Sequence, residues 1–177
     1  LKLFLREDLT AVCLERLLAS ALDAALIALP YDLPAGIETL PLFDDEFLFV
    51  TADAKLGSAQ SPLPIEKIDP DQLLLLEDGH CLRDHAIAAC SMQSLQTNRT
   101  LSATSLITLT HMVASGLGHT LLPELAIAGG VLSGSSLYAR RFTPRGPSRT
   151  IALAFRKTSA RRDEIAELGK IFAQSKG

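Results

Sequence analysis

Residues 73–90 read Leu73-Leu74-Leu75-Leu76-Glu77-Asp78-Gly79-His80-Cys81-Leu82-Arg83-Asp84-His85-Ala86-Ile87-Ala88-Ala89-Cys90. Four leucines in a row are too few to make a helix by themselves, and they predict a buried strand. Glu77-Asp78-Gly79 ends it. From Cys81 to Ala89 the residues favour a helix, and Asp78 or Gly79 can cap its start. A buried strand followed at once by a helix is the repeating unit of an α/β protein.

The same alternation extends outward. Leu14, Leu17, Leu18, Leu22 and Ala25 fall at helical spacing, predicting a helix from about Leu9 to Leu18. A strand follows at Asp23–Leu29 and is stopped by Pro30. Tyr31–Gly36 reads as a loop, Phe47–Thr51 as a buried strand and Ser58–Pro64 as a second loop. On the other side, Thr104–Ser115 predicts a helix with Leu106, Leu109, Met112 and Val113 on one face, ended by Gly116-Leu117-Gly118. His119–Leu122 predicts a strand stopped by Pro123, and Gly129–Ser136 a small-residue loop. Thr150–Arg156 alternates as a strand. Arg161–Ser175 predicts a terminal helix with Ile165, Leu168, Ile171 and Phe172 aligned. No internal repeat is present. The expectation is an α/β fold with mostly parallel pairing. Pro41–Glu46 and Thr143–Ser148 read as loops crossing between two lobes. The expected division is residues 1–43 with 149–177, and residues 44–148.

Composition sets the outer bounds. The chain has 177 residues, 47% hydrophobic and 21% charged, which is a globular composition rather than a disordered one. No run approaches the ~20 apolar residues of a membrane span. No basic segment followed by an apolar core and a small-residue cleavage site marks secretion. The first residue is Leu1 rather than Met, so the chain is expected to be a fragment or a processed product. Lys and Arg number 17 against 20 Asp and Glu, a net charge of −3, which argues against gripping nucleic acid through phosphates. Trp is absent and aromatics are 5%, which argues against stacking platforms for single strands. Three cysteines do not make a disulfide framework.

The chemistry concentrates in residues 77–90. Cys81 falls at a predicted helix start, where the partial positive charge lowers a thiol pKa. His80 and the permanently charged Arg83 add to this. A thiolate is the form that attacks peroxide or a disulfide. Cys90 lies nine positions on. Over one helix that is a rise of about 13.5 Å and a rotation of about 900°, so the two thiols point to opposite sides. A disulfide requires Cα atoms within roughly 7 Å, so helix and bond exclude each other. Closing the loop restricts the chain by about 2.7 kcal/mol, comparable to melting one short helix. This spacing is that of a conformational switch. Two other readings stay open. Both thiols can be core cysteines, or a metal can be held by His80 with Asp84 and Cys81 with His85. The latter pairs lie about 100° apart, and no CxxC or HExxH accompanies them.

Other positions read more weakly. Cys13 lies on the apolar side of the first helix and reads as core. Thr104-Ser105 reads as a helix cap that can also hold a polar ligand or an anion. Arg149 begins a strand within reach of a neighbouring site, with plain exposure the default. His111 and His119 read as surface or satisfied histidines, and Arg140-Arg141 and Arg161-Arg162 as solvated charge. Gly116-Leu117-Gly118 has no third glycine and no following helix, so it is no dinucleotide loop.

These residues resemble the OxyR-type peroxide sensors of the LysR family of transcription regulators. The likeness is carried by Glu77-Asp78-Gly79-His80-Cys81-Leu82-Arg83-Asp84 and by Thr104-Ser105-Leu106. Met112-Val113-Ala114-Ser115-Gly116 and Thr120-Leu121-Leu122-Pro123 extend it. Pro41-Leu42-Phe43-Asp44 and Arg149-Thr150-Ile151 also fit. The Gly-His-Cys-Leu-Arg-Asp motif is specific, whereas the Ser-Leu and Leu-Leu-Pro pieces are common to LysR-type effector domains. The resemblance implies a two-lobed effector domain like periplasmic binding proteins. The domain's first strand and helix, and a winged helix-turn-helix DNA-binding domain, would lie before this chain. It implies Cys81 as the peroxidatic cysteine and Cys90 as the resolving one, joining in a disulfide. Thr10, His80, Arg83 and Arg149 would line or support the peroxide pocket.

The implied partners are hydrogen peroxide, a thiol reductant for resetting and a second or further copies in a homodimer or homotetramer. DNA would be bound through the absent N-terminal domain. No cofactor, no metal and no membrane are implied, and the setting is cytoplasmic. Ile107 stands where the family usually places a carboxylate, and His85 also departs from its pattern. Two other functions fit the same residues. One is a thiol peroxidase, which turns over where a sensor reacts and waits. The other is a LysR-type domain that binds a small organic effector between its lobes.

Overall fold

The computed structural model describes residues 2–59, 62–78, 81–89, 101–144 and 146–174. Its elements in order are α1 (Thr10–Leu18), β1 (Ala24–Leu29), β2 (Ile37–Thr51), α2 (Ala54–Gly57), β3 (Leu63–Pro64), β4 (Leu75–Leu76) and α3 (Cys81–Ala89). There follow β5 (Ser102–Ala103), α4 (Leu106–Ala114), β6 (Thr120–Pro123), α5 (Glu124–Ala128), β7 (Tyr138–Arg140), β8 (Phe142–Thr143), β9 (Ser148–Arg156) and α6 (Arg162–Gln174). The chain divides into two compact units, Leu1–Asp44 with Thr150–Gly177, and Asp45–Arg149. The chain passes between them inside β2 and inside β9.

In the first unit β1 and β9 pair antiparallel, from Ala24 opposite Phe155 to Leu29 opposite Thr150. Alternation along β9 serves two layers. Ala154 packs with Leu14 and Leu17 of α1, whereas Leu153 and Phe155 pack with Ile165 and its neighbours on α6. Arg156 donates from its Nη1 to the carbonyls of Leu17 and Leu22 at 2.5 and 2.7 Å. It thereby ties β9 to the end of α1, where the Leu17 carbonyl also accepts from the Ser20 N–H at 3.1 Å. Gly169 lets α6 approach the sheet, since a Cβ there would lie 2.8 Å from Leu40 Cδ2.

In the second unit the far half of β2 lies between two antiparallel neighbours. Phe47–Val50 pairs with Pro123–Thr120 of β6, and Phe49–Thr51 pairs with Arg140–Tyr138 of β7. Phe47, Phe49 and Leu121 build one apolar cluster, and Val50 and Leu122 build the other. The leucine run contributes to both. Leu73 and Leu75 enter the first cluster with Ala86 of α3, and Leu74 and Leu76 enter the second with Leu109 and Val113 of α4. Being buried on both faces explains why this strand shows no polar alternation.

The α/β class stands, and two expectations are corrected. Antiparallel ladders dominate the described strands. Among the described residues, parallel pairing joins β3 with β8, β4 with β5 and, as a single bridge, Leu73 with His119. Pro41–Glu46 is not a loop but the interior of the 15-residue β2. Pro41 is exposed there, and a strand tolerates proline where no ladder bond is asked of its nitrogen. Beyond Pro123 the chain enters the short helix α5, which its composition did not announce.

Leu122 is fully buried. Leu122→Ala is expected to cost about 2–5 kcal/mol in urea unfolding. Leu56→Ala, at a position 41% exposed, is expected to stay within about 0.5 kcal/mol.

Candidate functional site

The site is framed from the strand β4 outward. Leu74 N–H donates to the His119 carbonyl at 2.8 Å, and Glu77 N–H to the Ala103 carbonyl at 3.0 Å. The Thr120 hydroxyl donates to the Leu74 carbonyl at 2.8 Å. The chain then turns into α3, whose first residue is Cys81. Arg83 fastens the helix start to the strand end. Its Nη1 donates to the Leu76 carbonyl at 3.1 Å, and its Nε pairs with Asp78 at 2.9 Å. Asp78 is 85% exposed, so water screens this pair from the carboxylate side although Arg83 itself is 13% exposed. Ala86 and His85 are buried, so α3 packs along this face. His80 and Cys90 lie outside the described residues, as does the side chain of Cys81.

Arg149 is not the plainly exposed arginine that is the default reading. Its side chain is 14% exposed, and its Nε and Nη2 both reach Asp45 Oδ2 at 3.0 Å. Its guanidinium carbon lies 5.9 Å from the centre of the Phe47 ring. Asp45 is fully buried, and its other oxygen accepts from the Leu125 N–H at 3.0 Å, near the start of α5. One carboxylate thus holds β9 and α5 together. It escaped notice in the sequence because its counter-charge lies 104 residues away.

Ser105 performs the capping expected of Thr104-Ser105. Its Oγ accepts from the Thr108 N–H at 3.2 Å and lies 3.0 Å from the Thr108 hydroxyl, whereas Thr104 is simply exposed. Ile107, on the next turn, is 66% exposed beside an open groove of about 830 Å³ between α4 and the 129–136 turns. Thr10 opens α1 in the first unit; the other described candidates belong to the second. Cys13 is half-buried on α1, and burial, helped by the charge of Asp8, pushes its thiol above the usual range. Among the described residues no group of three or more metal-capable side chains gathers. His119 corrects its reading as a surface or satisfied histidine. It is buried, and its Nε2 finds no partner among the described residues.

The pattern of the LysR substrate binding domain matches residues 1–175. The chain belongs to that LysR family. This LysR-type domain is 40% identical over 170 residues to a probable hydrogen peroxide-inducible genes activator of Streptomyces viridosporus, covering 95% of this chain and 54% of that one. It is 35% identical to the transcriptional regulator EstR of Acinetobacter baylyi, over 93% of this chain and 54% of the relative. The chain therefore spans about half the length of these curated relatives. Among solved structures it matches the reduced regulatory domain of OxyR2 from Vibrio vulnificus, with a TM-score of 0.84 and 32% identity. That match covers 96% of this chain and 79% of the other. The fold of this LysR-type domain is thus that of an OxyR regulatory domain.

The Asp45–Arg149 pair yields a test. Asp45→Ala strands a largely buried guanidinium and an N–H near the start of α5, and is expected to cost about 3–5 kcal/mol in urea unfolding. Adding Arg149→Met should recover part of that loss, because both charges are then gone.

Proposed function

We propose that this chain is the peroxide-sensing regulatory domain of a LysR-type transcription regulator, switching through a disulfide between Cys81 and Cys90. The observation that carries the reading is the place of Cys81 as the first residue of α3, a nine-residue helix whose last residue immediately precedes Cys90. Peroxide-inducible activators and OxyR regulatory domains among the relatives support it.

The helix start favours the thiolate of Cys81. That thiolate attacks one peroxide oxygen, the O–O bond breaks, hydroxide leaves and sulfur becomes a sulfenic acid. The Cys90 thiol then attacks the sulfenic sulfur, water leaves and the disulfide forms. Arg83 holds the helix start on the strand end, with its charge two residues from the sulfur. His80 and Arg149 complete or support the pocket on the strength of the resemblance, with Arg149 kept in place by Asp45. Thr104 and Ser105 stand at the start of α4, where Ser105 is already spent on its cap. A thiol reductant returns the pair to thiols by exchange.

In this reading the protein is a cytoplasmic sensor rather than an enzyme. It works as a homodimer or homotetramer and meets DNA through a domain outside this chain. A LysR-type domain that binds a small organic effector is the second reading, supported by the match of residues 1–175 to the LysR substrate binding domain.

Intact-mass spectrometry after one equivalent of hydrogen peroxide separates them. The peroxide reading expects the loss of two hydrogens, mapped to a Cys81–Cys90 crosslink. Cys90→Ser should gain one oxygen at Cys81, trapped as a sulfenic acid. An unchanged mass, or equally fast oxidation of Cys81→Ser, contradicts it.

A further inference from the structure

His119 precedes the apolar run Thr120–Pro123, and its backbone is built into the seat of the Leu73–Leu76 segment, which ends in β4. Its N–H donates to the Gln72 carbonyl at 3.0 Å, and its carbonyl accepts from the Leu74 N–H at 2.8 Å. The two segments run close here: a Cβ on the neighbouring Gly118 would lie 2.3 Å from the Gln72 carbonyl oxygen. The imidazole is 5% exposed and tilts against Phe49, with ring centres 4.8 Å apart at 52°.

Phe49 on β2 and the leucines of the strand are uncharged. Asp69, at the start of the Pro70–Gln72 turn, is the charged group acting on the ring among the described residues. Its carboxylate is already engaged, accepting from the Asp71 N–H at 3.0 Å and the Gln72 amide at 3.1 Å. Nε2 finds no acceptor among the described residues. A proton added there would be a buried, unpaired charge-bearing donor, which is among the costliest groups to keep inside a fold.

We propose that His119 is a pH-sensitive brace on the segment that leads to α3: when it takes up a proton, the hold on Leu73–Leu76 loosens. The consequence runs along the chain, because that segment carries the carbonyl to which Arg83 fastens the start of α3. The loosening does not depend on the peroxide reading; its use as an acid-sensitive gate on the Cys81–Cys90 step does.

The direction follows from linkage. Burial lowers the pKa of the imidazole below its usual 6.5, and the carbonyl and carboxylate of Asp69 only partly oppose this. The folded state therefore binds fewer protons than the open one. Stability from this group is complete above about pH 6.5 and falls as the pH drops from there toward the folded pKa.

The test is amide hydrogen exchange at Leu74 and Glu77 between pH 7.5 and 5.5, corrected for intrinsic rates, in this chain and in its His119→Leu variant. The protection ratio of parent to variant should fall by up to about tenfold at pH 5.5. An equal loss in both proteins, or no loss in the parent, overturns the proposal. If His119→Leu does not fold, His119→Gln takes its place. Independently, an NMR titration of the His119 ring should give a midpoint below 6.5, and a midpoint at or above 6.5 overturns the proposal. Peroxide oxidation of Cys81 followed by mass spectrometry at pH 7.5 tests the sensing reading separately, so the two can fail independently.

Discussion

The second unit depends on one short strand being buried from both sides. Leu73 and Leu75 belong to the cluster of Phe47, Phe49 and Leu121, and Leu74 and Leu76 to that of Val50, Leu122 and Val113. Each leucine is under 5% exposed, and burying one contributes about 1.5–3 kcal/mol. Period-two alternation makes a slip of one residue impossible without exchanging the two clusters. The strand end is thereby fixed, and with it the point at which α3 starts. Whatever Cys81 does chemically, its backbone is delivered by apolar packing that does not involve it.

The helix α3 is held more lightly than the strand before it. It packs through Ala86 and the partly buried Leu82 and Ile87, and Arg83 supplies the polar fastening to Leu76. A nine-residue helix is too short to be stable by itself in water. Its persistence rests on these contacts, so an opposing constraint of a few kcal/mol is enough to undo it. A disulfide between its first residue and the residue after its last is such a constraint.

What could be read in the sequence follows the range of the interactions. The helix at Cys81–Ala89 and the leucine strand are local patterns, and they stand in the structure within a residue or two. So does the helix Thr10–Leu18, whose buried Leu14 and Leu17 announce it. The long strand β2 was hidden by Pro41 and by three consecutive acids, one of which, Asp45, is neutralised by an arginine far along the chain. Helix α5 was hidden because it is five residues long and takes an N–H partner from that same distant acid. The antiparallel pairing of β1 with β9 joins segments more than 120 residues apart, beyond any local pattern. At the site, the cysteine at a helix start was legible, whereas the neutralised Arg149 and the buried His119 were not. Each depends on what the fold brings against it.

The account turns on mutual exclusion between α3 and the Cys81–Cys90 bond. Amide hydrogen exchange across Leu82–Ala89, compared between the reduced chain and the chain oxidised by one equivalent of peroxide, tests it most directly. The account predicts slow exchange when reduced and exchange close to that of an open chain when oxidised, with Cys90→Ser remaining protected under the same treatment. Equal protection in the oxidised and reduced chains would contradict it.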